Sequence, residues 1–256
     1  MGSTKNRIKQ LIAPTLTFVL FIGLWQLVDY LFDINNIILP NPFEIFVSIL
    51  NNFSYLLDHT MITFFEAVSG FILGGVLAFM CGVVFTYSRL MKKSFYPYAI
   101  AFKAVPVIAL APLLVMWFGS GIWSKIVMAS IICYFPVLIG TVKGLSAVTQ
   151  EHLDLFNVMS SSRWNCFLKL RLPVALPYLF PALKISATFS IVGATIAEFT
   201  GASRGIGYII VNSSYYLETI MMFGAIVMIS ITGLLLFYLV DYLEKKILFW
   251  EEREGG

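Results

Sequence analysis

The sequence predicts an all-α membrane protein with six transmembrane helices and both termini in the cytoplasm. Three observations lead to this fold class: the composition, the number of long apolar stretches and the placement of the basic residues. Of the 256 residues, 59% are hydrophobic and 12% are charged, and the mean hydropathy is +0.87. Because soluble domains carry about 25% charged residues, a water-soluble fold of this length could not bury so much apolar surface. One composition runs through residues 1–256, which predicts a single transmembrane domain.

Apolar stretches long enough to cross a bilayer occur six times along the chain. A spanning helix needs about 20 largely apolar residues. The first stretch is too long for the core of a cleavable signal peptide and has no clear small-residue cleavage site after it, so none is expected. The predicted spans are Leu11–Phe32, Thr63–Tyr87, Ile100–Phe118, Ser124–Val142, Leu176–Phe199 and Ile220–Leu243.

The basic residues fix the predicted direction of these spans. If the spans alternate, 13 of the 17 Lys and Arg residues fall on one side of the membrane. The other side holds only Lys125 and Arg204, while Lys103 and Lys184 fall just inside helix ends on the basic-rich side, where long side chains can snorkel. An excess of basic residues marks the cytoplasmic side, so the chain is predicted to be a multi-pass protein of the bacterial cytoplasmic membrane.

Two connections are unusually long, one external and one cytoplasmic, and a second external connection is distinguished by its composition. The external segment Asp33–Ile62 contains no Lys or Arg, and Pro40 and Pro42 precede a segment that predicts an amphipathic helix along the outer interface or across the bundle. The Gly- and Ser-rich segment Thr200–Thr219 predicts a re-entrant or surface turn. The cytoplasmic connection, about 143–175, is not low in complexity, and loops of this length are usually functional or disordered. We therefore expect a functional element there.

A helix–turn–helix is predicted within the cytoplasmic connection. Apolar residues recur at three- and four-residue spacing over His152–Met159, which indicates a short amphipathic helix. Ser160–Ser162 then turn the chain, and Arg163–Leu172 resumes a helical pattern that leads into the fifth span. Its apolar side chains fit a groove on a soluble partner, with Asp154 and Arg163 fixing orientation through charge-assisted bonds. The alternative is an amphipathic surface element that only covers the bundle.

The middle of each predicted span contains no ionisable residue. Asp29, Glu66 and Glu198 are expected near external helix ends, and Lys103 and Lys184 near internal ends. Ionisable residues at mid-membrane depth usually carry function, as in the proton relays of self-powered carriers. Their absence from the predicted mid-span positions argues against transport driven by this chain alone.

Catalytic and metal-binding patterns are absent from the sequence. The chain lacks the GxxxxGK[ST] phosphate loop, so it is not expected to hydrolyse ATP alone, and it lacks HExxH and GxSxG. The cysteines Cys81, Cys133 and Cys166 show no metal spacing, and His59 and His152 are far apart. We expect neither an enzyme nor a metal site.

A sequence pattern in the cytoplasmic connection points to a family. Residues 151–186 read EHLDLFNVMSSSRWNCFLKLRLPVALPYLFPALKIS. Asp154, Leu155 and Phe156 stand where the pattern has Glu-Ala-Ala. Ser160 stands in its glycine place, and Leu172-Pro173 in its closing Leu-Pro place. The stretch thus resembles the EAA loop of binding-protein-dependent ABC importer permeases, with Asp for Glu, bulky apolar residues for two alanines and Ser for Gly.

Three further segments carry the same resemblance. ILPNPFEI is similar to the family's external Leu-Pro-x-Pro segment, AVPVIALAPLLVMWFGSG at 104–121 to its Pro-Leu…Trp-Phe-Gly-x-Gly element, and GATIAEFTGASRGIG at 193–207 to its Ala-Glu-Phe…Gly-x-Gly element. Within the superfamily the set resembles the permeases for nitrate, sulfonates and taurine. YPYAIAFKAVPVIALAPL and TFFEAVSG are nearer to members assigned to thiamine-pyrimidine precursors or riboflavin.

The resemblance implies a type I ABC importer permease fold and a defined set of partners. Two copies of the permease would pair within the membrane lipid, an ATPase dimer would dock on the cytoplasmic loops, and an external binding protein would deliver solute; no nucleic acid is involved. ATP and Mg would bind the ATPase, and this chain would hold no cofactor. The loop residues implied in ATPase coupling are Asp154, Leu155, Phe156, Ser160, Arg163, Trp164 and Pro173.

The solute expected from the resemblance is a small organic molecule, with a pyrimidine or thiamine precursor or a riboflavin-like compound favoured. An alkanesulfonate, taurine or nitrate is the alternative. A stand-alone carrier, and a membrane enzyme or assembly factor, are the competing functional classes. Candidate residues of the substrate path are Glu66, Trp117, Tyr134 and Glu198, and each is equally open to a packing or docking role.

Overall fold

The computed structural model describes residues 2–102, 104–158 and 162–250, and every regular element in these ranges is helical. A 3₁₀ turn, Val107–Leu110, precedes the fifth α-helix, and a π-helical turn, Phe167–Arg171, joins the eighth to the ninth. The α-helices are α1 (Gly2–Phe32), α2 (Pro42–Asn51), α3 (Phe53–Tyr87), α4 (Arg89–Phe102), α5 (Ala111–Phe118), α6 (Ile122–Leu145), α7 (Gln150–Val158), α8 (Arg163–Cys166), α9 (Leu172–Glu198), α10 (Ile206–Tyr215) and α11 (Thr219–Ile247).

Six membrane spans are present when one bent pair of helices counts as a single span. Five helical segments of the described chain are long and apolar enough to cross a bilayer: Ile12–Phe32 of α1, α3, α6, Arg163–Glu198 and α11. The sixth span combines α4 with Val107–Phe118, bent by 93°. The predicted span Ile100–Phe118 is therefore present as part of a bent pair and not as one continuous helix. The physical reason is Pro106, which lacks a backbone N–H and adopts an extended conformation at the break.

The external connection before α3 is shorter than predicted. α2 is the expected short amphipathic helix; it begins at Pro42, and the Asn41 side chain accepts a hydrogen bond from the Phe43 amide at 2.8 Å. α3 follows after Asn52, so it begins ten residues before the predicted Thr63. Glu66 lies about 20 Å along the axis of α3 at about 1.5 Å per residue, which corrects its predicted position near a helix end.

The core of the bundle is α6, which lies between α3 and α9. Small residues allow the three backbones to approach closely, as is common between membrane helices. A methyl group added at Gly144 of α6 would lie 2.8 Å from the Ala175 carbonyl oxygen of α9, and one at Gly82 of α3 would lie 2.6 Å from the Thr141 side chain of α6. Helices α6 and α9, which flank the cytoplasmic connection, are thus in close contact through their backbones.

α1 is peripheral to this core. No residue of its most apolar stretch is buried within the chain. Its described contacts lie at its outer half, where the Trp25 ring is 5.8 Å from the Phe223 ring and Asp29 accepts a hydrogen bond from Asn41 at 2.9 Å.

The structure also corrects the predictions for the segment Thr200–Thr219 and for the residue Lys184. The segment Thr200–Thr219 is a turn followed by α10, whose residues Ile206 and Ile209 are buried. Lys184 does not snorkel: its Nζ is 3.3 Å from Asp241 and 2.7 Å from Glu244 of α11. Pairing with two carboxylates satisfies the ammonium group within the bundle, since an unpaired buried charge is costly. Lys103 lies outside the described residues.

Candidate coupling segment and transmembrane cavity

The cytoplasmic connection contains two short helices followed by the π-helical turn. In α7, Gln150 donates a hydrogen bond to the Asp154 carboxylate at 3.0 Å. The α8 helix begins after Ser162, whose hydroxyl oxygen accepts the Asn165 amide at 3.2 Å, an arrangement typical of a helix N-cap. Residues 159–161, including the predicted coupling residue Ser160, lie outside the described residues. We call residues 150–171 the coupling segment.

Large apolar side chains on the coupling segment are exposed. Leu155 is 56% exposed and Trp164 is 66% exposed, and the Trp164 ring stacks on Phe167 with 5.8 Å between centroids. Phe156 is half-buried, while Asp154 and Arg163 are exposed. Exposed apolar groups beside exposed charges form a surface suited to a protein partner. The roles of these side chains in ATPase coupling stay predictions.

The coupling segment passes directly into a spanning helix. Pro173 lies in the first turn of α9, directly after the π-helical turn. Ala175 follows and packs on Gly144 near the end of α6. Movement of the segment would therefore act on α6 and α9 together.

A transmembrane cavity of about 710 Å³ lies between α3, α4 and α6. Tyr134, one of the predicted path residues, lines it, and none of its described lining residues is Lys, Arg, Asp or Glu. A second cavity of about 570 Å³ between α4, α6 and α9 shares Phe102 and Phe135 with it. The aromatic side chains of the larger cavity are Phe85, Phe95, Tyr98, Phe102, Tyr134 and Phe135.

Glu198 belongs to a buried polar cluster at the external end of the bundle. One oxygen of its carboxylate accepts the Thr63 hydroxyl at 2.7 Å, and the other accepts the Gly207 amide at 2.5 Å. Thr63 Oγ1 also accepts the Ile206 amide at 2.8 Å. These bonds join α3, α9 and the beginning of α10. The His59 ring adds to the cluster, because its Nδ1 accepts the Gly205 amide at 3.0 Å.

Lys125 and Glu66 complete this external polar cluster. Lys125 is 2% exposed, and its ammonium group donates to the carbonyl oxygens of Ser120 and Gly121, just after α5. It interacts electrostatically with Glu66 and Glu198, and Glu66 interacts with Glu198. The Oε2 atom of Glu66 has no hydrogen-bond partner among the described residues. The cluster therefore places one ammonium and two carboxyl groups where the external ends of α6 and α9 meet α3, about three to four turns from the start of α3.

The four predicted path residues do not share one surface. Glu66 and Glu198 are together in the polar cluster, Tyr134 lines the cavity, and Trp117 is 66% exposed on α5. Sequence reasoning did not pair Lys125 with the two glutamates. The sequence did contain a local signal for part of the cluster, because Thr63 and Glu66 are one helical turn apart and lie on the same face of α3. Contact of any of the four with solute stays a prediction.

Comparison with known proteins gives one consistent family. The model of the family described as "Binding-protein-dependent transport system inner membrane component" matches residues 70–249. A probable ABC transporter permease protein of Haemophilus influenzae is 32% identical over 91% of this chain and 96% of its own length. The formylaminopyrimidine transport permease protein ThiX of Halalkalibacterium halodurans is 28% identical over 97% of this chain and 100% of its own length.

Relatives with other named solutes match almost as well. The putative aliphatic sulfonates transport permease protein SsuC of Bacillus subtilis is 29% identical over 92% of this chain and 86% of its own length. The riboflavin transport system permease protein RibX of Chloroflexus aurantiacus is 29% identical over 92% of this chain and 88% of its own length.

A solved structure supports the fold. The inward-facing MetNI methionine ABC transporter contains a chain that superposes with a TM-score of 0.66 at 18% identity, covering 75% of this chain and 96% of the other. At this identity the match concerns the fold, which is that of a type I ABC importer permease, as the resemblance of the loop motif implied. Together with the family match over residues 70–249, it makes the chain a multi-pass protein of the cytoplasmic membrane that belongs to the family of binding-protein-dependent transport system inner membrane components.

Proposed function

We propose that this chain forms the translocation path of an ATP-driven importer for a small, planar organic solute, with a pyrimidine or thiamine precursor or a flavin favoured. Two copies of the chain would pair in the membrane lipid, an ATPase dimer would bind ATP and Mg on the cytoplasmic side, and an external binding protein would deliver solute. Membership of an ABC permease family supports the separate ATPase and the binding protein.

The observation that carries the solute class is the uncharged, aromatic lining of the 710 Å³ cavity between α3, α4 and α6. Small-molecule sites are mostly apolar, with a few polar groups that fix orientation. Here the polar groups are Ser130, Tyr98 and Tyr134, set among phenylalanine rings. Rings of this kind favour offset or edge-on contact with another aromatic system. A heteroaromatic solute satisfies both features.

The alternative solutes are alkanesulfonates, taurine and nitrate, and relatives named for sulfonate transport match at similar identity. An anion leaving water needs a cation or several N–H donors. The described lining of either cavity contains no Lys or Arg. The heteroaromatic class is therefore better supported.

A stand-alone carrier is less well supported than an importer subunit. Coupled carriers place ionisable groups where substrate and ions pass. In this chain Glu66, Glu198 and Lys125 are at most 4% exposed and line none of the described cavities. The burial of these three residues fits better with energy that comes from an ATPase docked on the exposed coupling segment.

Reconstituted transporter tests the solute class. The chain would be purified with its ATPase, placed in liposomes and given binding protein loaded with a pyrimidine, riboflavin, taurine or nitrate. We expect binding-protein-dependent ATP hydrolysis and uptake with a heteroaromatic solute only. Stimulation by taurine or nitrate alone would favour the alternative, and uptake without any ATPase would favour a stand-alone carrier. The mass of the purified complex tests whether two copies of the permease are present.

A further inference from the structure

The inner ends of two spanning helices meet at the π-helical turn. Arg171, the last residue of this turn, donates a hydrogen bond from Nη1 to the Leu145 carbonyl oxygen at 3.1 Å. Leu145 is the last residue of α6, and its carbonyl is one of four that a helix leaves without an internal partner. A positive charge at this end of a helix is stabilising because the helix dipole is negative there.

The same guanidinium group also contacts α3. Its carbon atom lies 5.1 Å from the centre of the Tyr87 ring, which is within the range of a cation–π interaction. Tyr87 is the last residue of α3. Arg171 thus joins the inner ends of α3 and α6 to the segment that leads into α9.

A row of aromatic contacts connects this point with the exposed surface. The Phe167 ring, on the same π-helical turn, is 6.4 Å from the Tyr87 ring and 5.8 Å from the Trp164 ring. Trp164 is 66% exposed. Side-chain contacts are therefore continuous from an exposed tryptophan on the coupling segment to the ends of α3 and α6. Single-turn π-helical segments are frequent at functional sites.

The alternative explanation is that Arg171 only places a charge at the membrane surface, as Lys169 on the same turn does. Two observations separate these residues. Lys169 is exposed, whereas Arg171 is half-buried, and the Arg171 hydrogen bond goes to the backbone of another helix. The planar guanidinium can make the carbonyl bond and the ring contact at once, which an ammonium group does less well.

We propose that Arg171 is a positioning residue that transmits movement of the coupling segment to the inner ends of α3 and α6. The proposal rests on the proposed function, because a docked ATPase is the source of that movement. Displacing the turn would pull on the Leu145 carbonyl oxygen and so on α6, and the Tyr87 contact would carry α3. In this proposal Arg171 acts inside the coupling segment, while the exposed side chains of Trp164 and Leu155 offer the surface for the ATPase.

The test uses the complete transporter in liposomes with Arg171→Gln, and with Lys246→Gln, an exposed lysine at the cytoplasmic end of α11 outside the coupling segment, as the matched control. We expect Arg171→Gln to keep ATPase co-purification and ATP hydrolysis while uptake per ATP falls about tenfold, the scale of one charge-assisted hydrogen bond. Lys246→Gln should stay within about twofold of the parent protein, as expected for an exposed charge. Unchanged uptake per ATP in Arg171→Gln, or loss of ATPase co-purification, would overturn the proposal.

A double-mutant cycle adds a readout that a purely structural role would not move. In a Tyr87→Leu background, Arg171→Gln should lower uptake per ATP by clearly less than in the parent protein, because part of the connection is already broken. Equal losses in both backgrounds would show that the two residues act separately and would overturn the proposal. Absence of ATP-driven uptake in the unmutated transporter would instead refute the proposed function itself, and this proposal with it.

Discussion

The two ends of the bundle are held together by different kinds of contact. At the external end, Glu198, Thr63 and Lys125 are at most 2% exposed; Thr63 donates a hydrogen bond to Glu198, and Lys125 donates to the Gly121 carbonyl oxygen. At the cytoplasmic end, Arg171 is half-buried and Trp164 is exposed. Buried polar networks are costly to disrupt, because their groups cannot return to water. The comparison teaches that the external end is built for rigidity and the cytoplasmic end for movement.

This difference leads to a ranking of mutational effects. Substitutions in the external polar cluster should act first on stability. Substitutions in the coupling segment should act on function with little loss of stability. The predictions below follow that order.

Glu198→Leu is expected to have the largest effect on stability. It removes the acceptor of the Thr63 hydroxyl and the Gly207 amide and leaves Lys125 with one fewer counter-charge. Breaking a buried charged group away from its partners costs about 3–5 kcal/mol. Thermal unfolding of the detergent-purified chain would measure the loss. Glu218→Gln is the matched control, because Glu218 is an exposed external glutamate; equal Tm values for both variants would contradict the prediction.

Lys125→Met should be the next most severe change. It leaves Glu66 and Glu198 buried without their shared cation, and it removes the donor to the Ser120 and Gly121 carbonyl oxygens. We expect a loss of about 2–4 kcal/mol, since an unpaired buried charge carries the desolvation cost. Combining it with Glu66→Gln should recover part of the loss. Unfolding midpoints of the single and double variants measure this, and a double variant less stable than Lys125→Met would refute charge compensation.

The close approach of α6 and α9 gives a third prediction. Gly144→Ala places a methyl group 2.8 Å from the Ala175 carbonyl oxygen, so the helices must move apart at a cost of about 1–3 kcal/mol. Gly75→Ala in α3 is the control, because no atom lies within 4 Å of the added methyl group. That variant should be neutral or slightly stabilising, as alanine is the better helix former. Equal unfolding midpoints would show that the α6–α9 contact is more open than described.

Much of the rigid framework could be predicted from local sequence. Apolar length predicted six spans, five of which are single helical segments, while Pro42 and its neighbours predicted α2 and apolar spacing predicted α7. The bend of the third span was missed, because Pro106 lies in an apolar run and local hydropathy is the same for a straight and a bent helix. The start of α3 was misplaced because its first three turns are polar enough to resemble a loop.

The coupling segment could be predicted from the sequence more fully than the polar cluster, for a physical reason. The coupling segment is continuous in sequence, so a motif and a helical period could locate it. The polar cluster joins Thr63 to Glu198, which are 135 positions apart, and hydropathy contains no information on which distant charges will meet. Arg171 was counted as one more cytoplasmic charge, because its partners Tyr87 and Leu145 belong to other helices.

Trp164→Ala gives the smallest expected change in stability and the clearest separation of the two ends. The side chain is 66% exposed and contacts Phe167 on its own segment, so unfolding should change by no more than about 0.5 kcal/mol. Tryptophan is a frequent hot spot of protein interfaces, and its removal should weaken ATPase binding about tenfold or more. Titration of the ATPase onto the membrane-embedded chain measures this affinity. Trp123→Ala, an equally exposed tryptophan at the external end of α6, should leave the affinity unchanged. Equal binding by both variants would mean that the ATPase does not contact the exposed face of α8, and the cytoplasmic end would then lose its assigned role in the comparison.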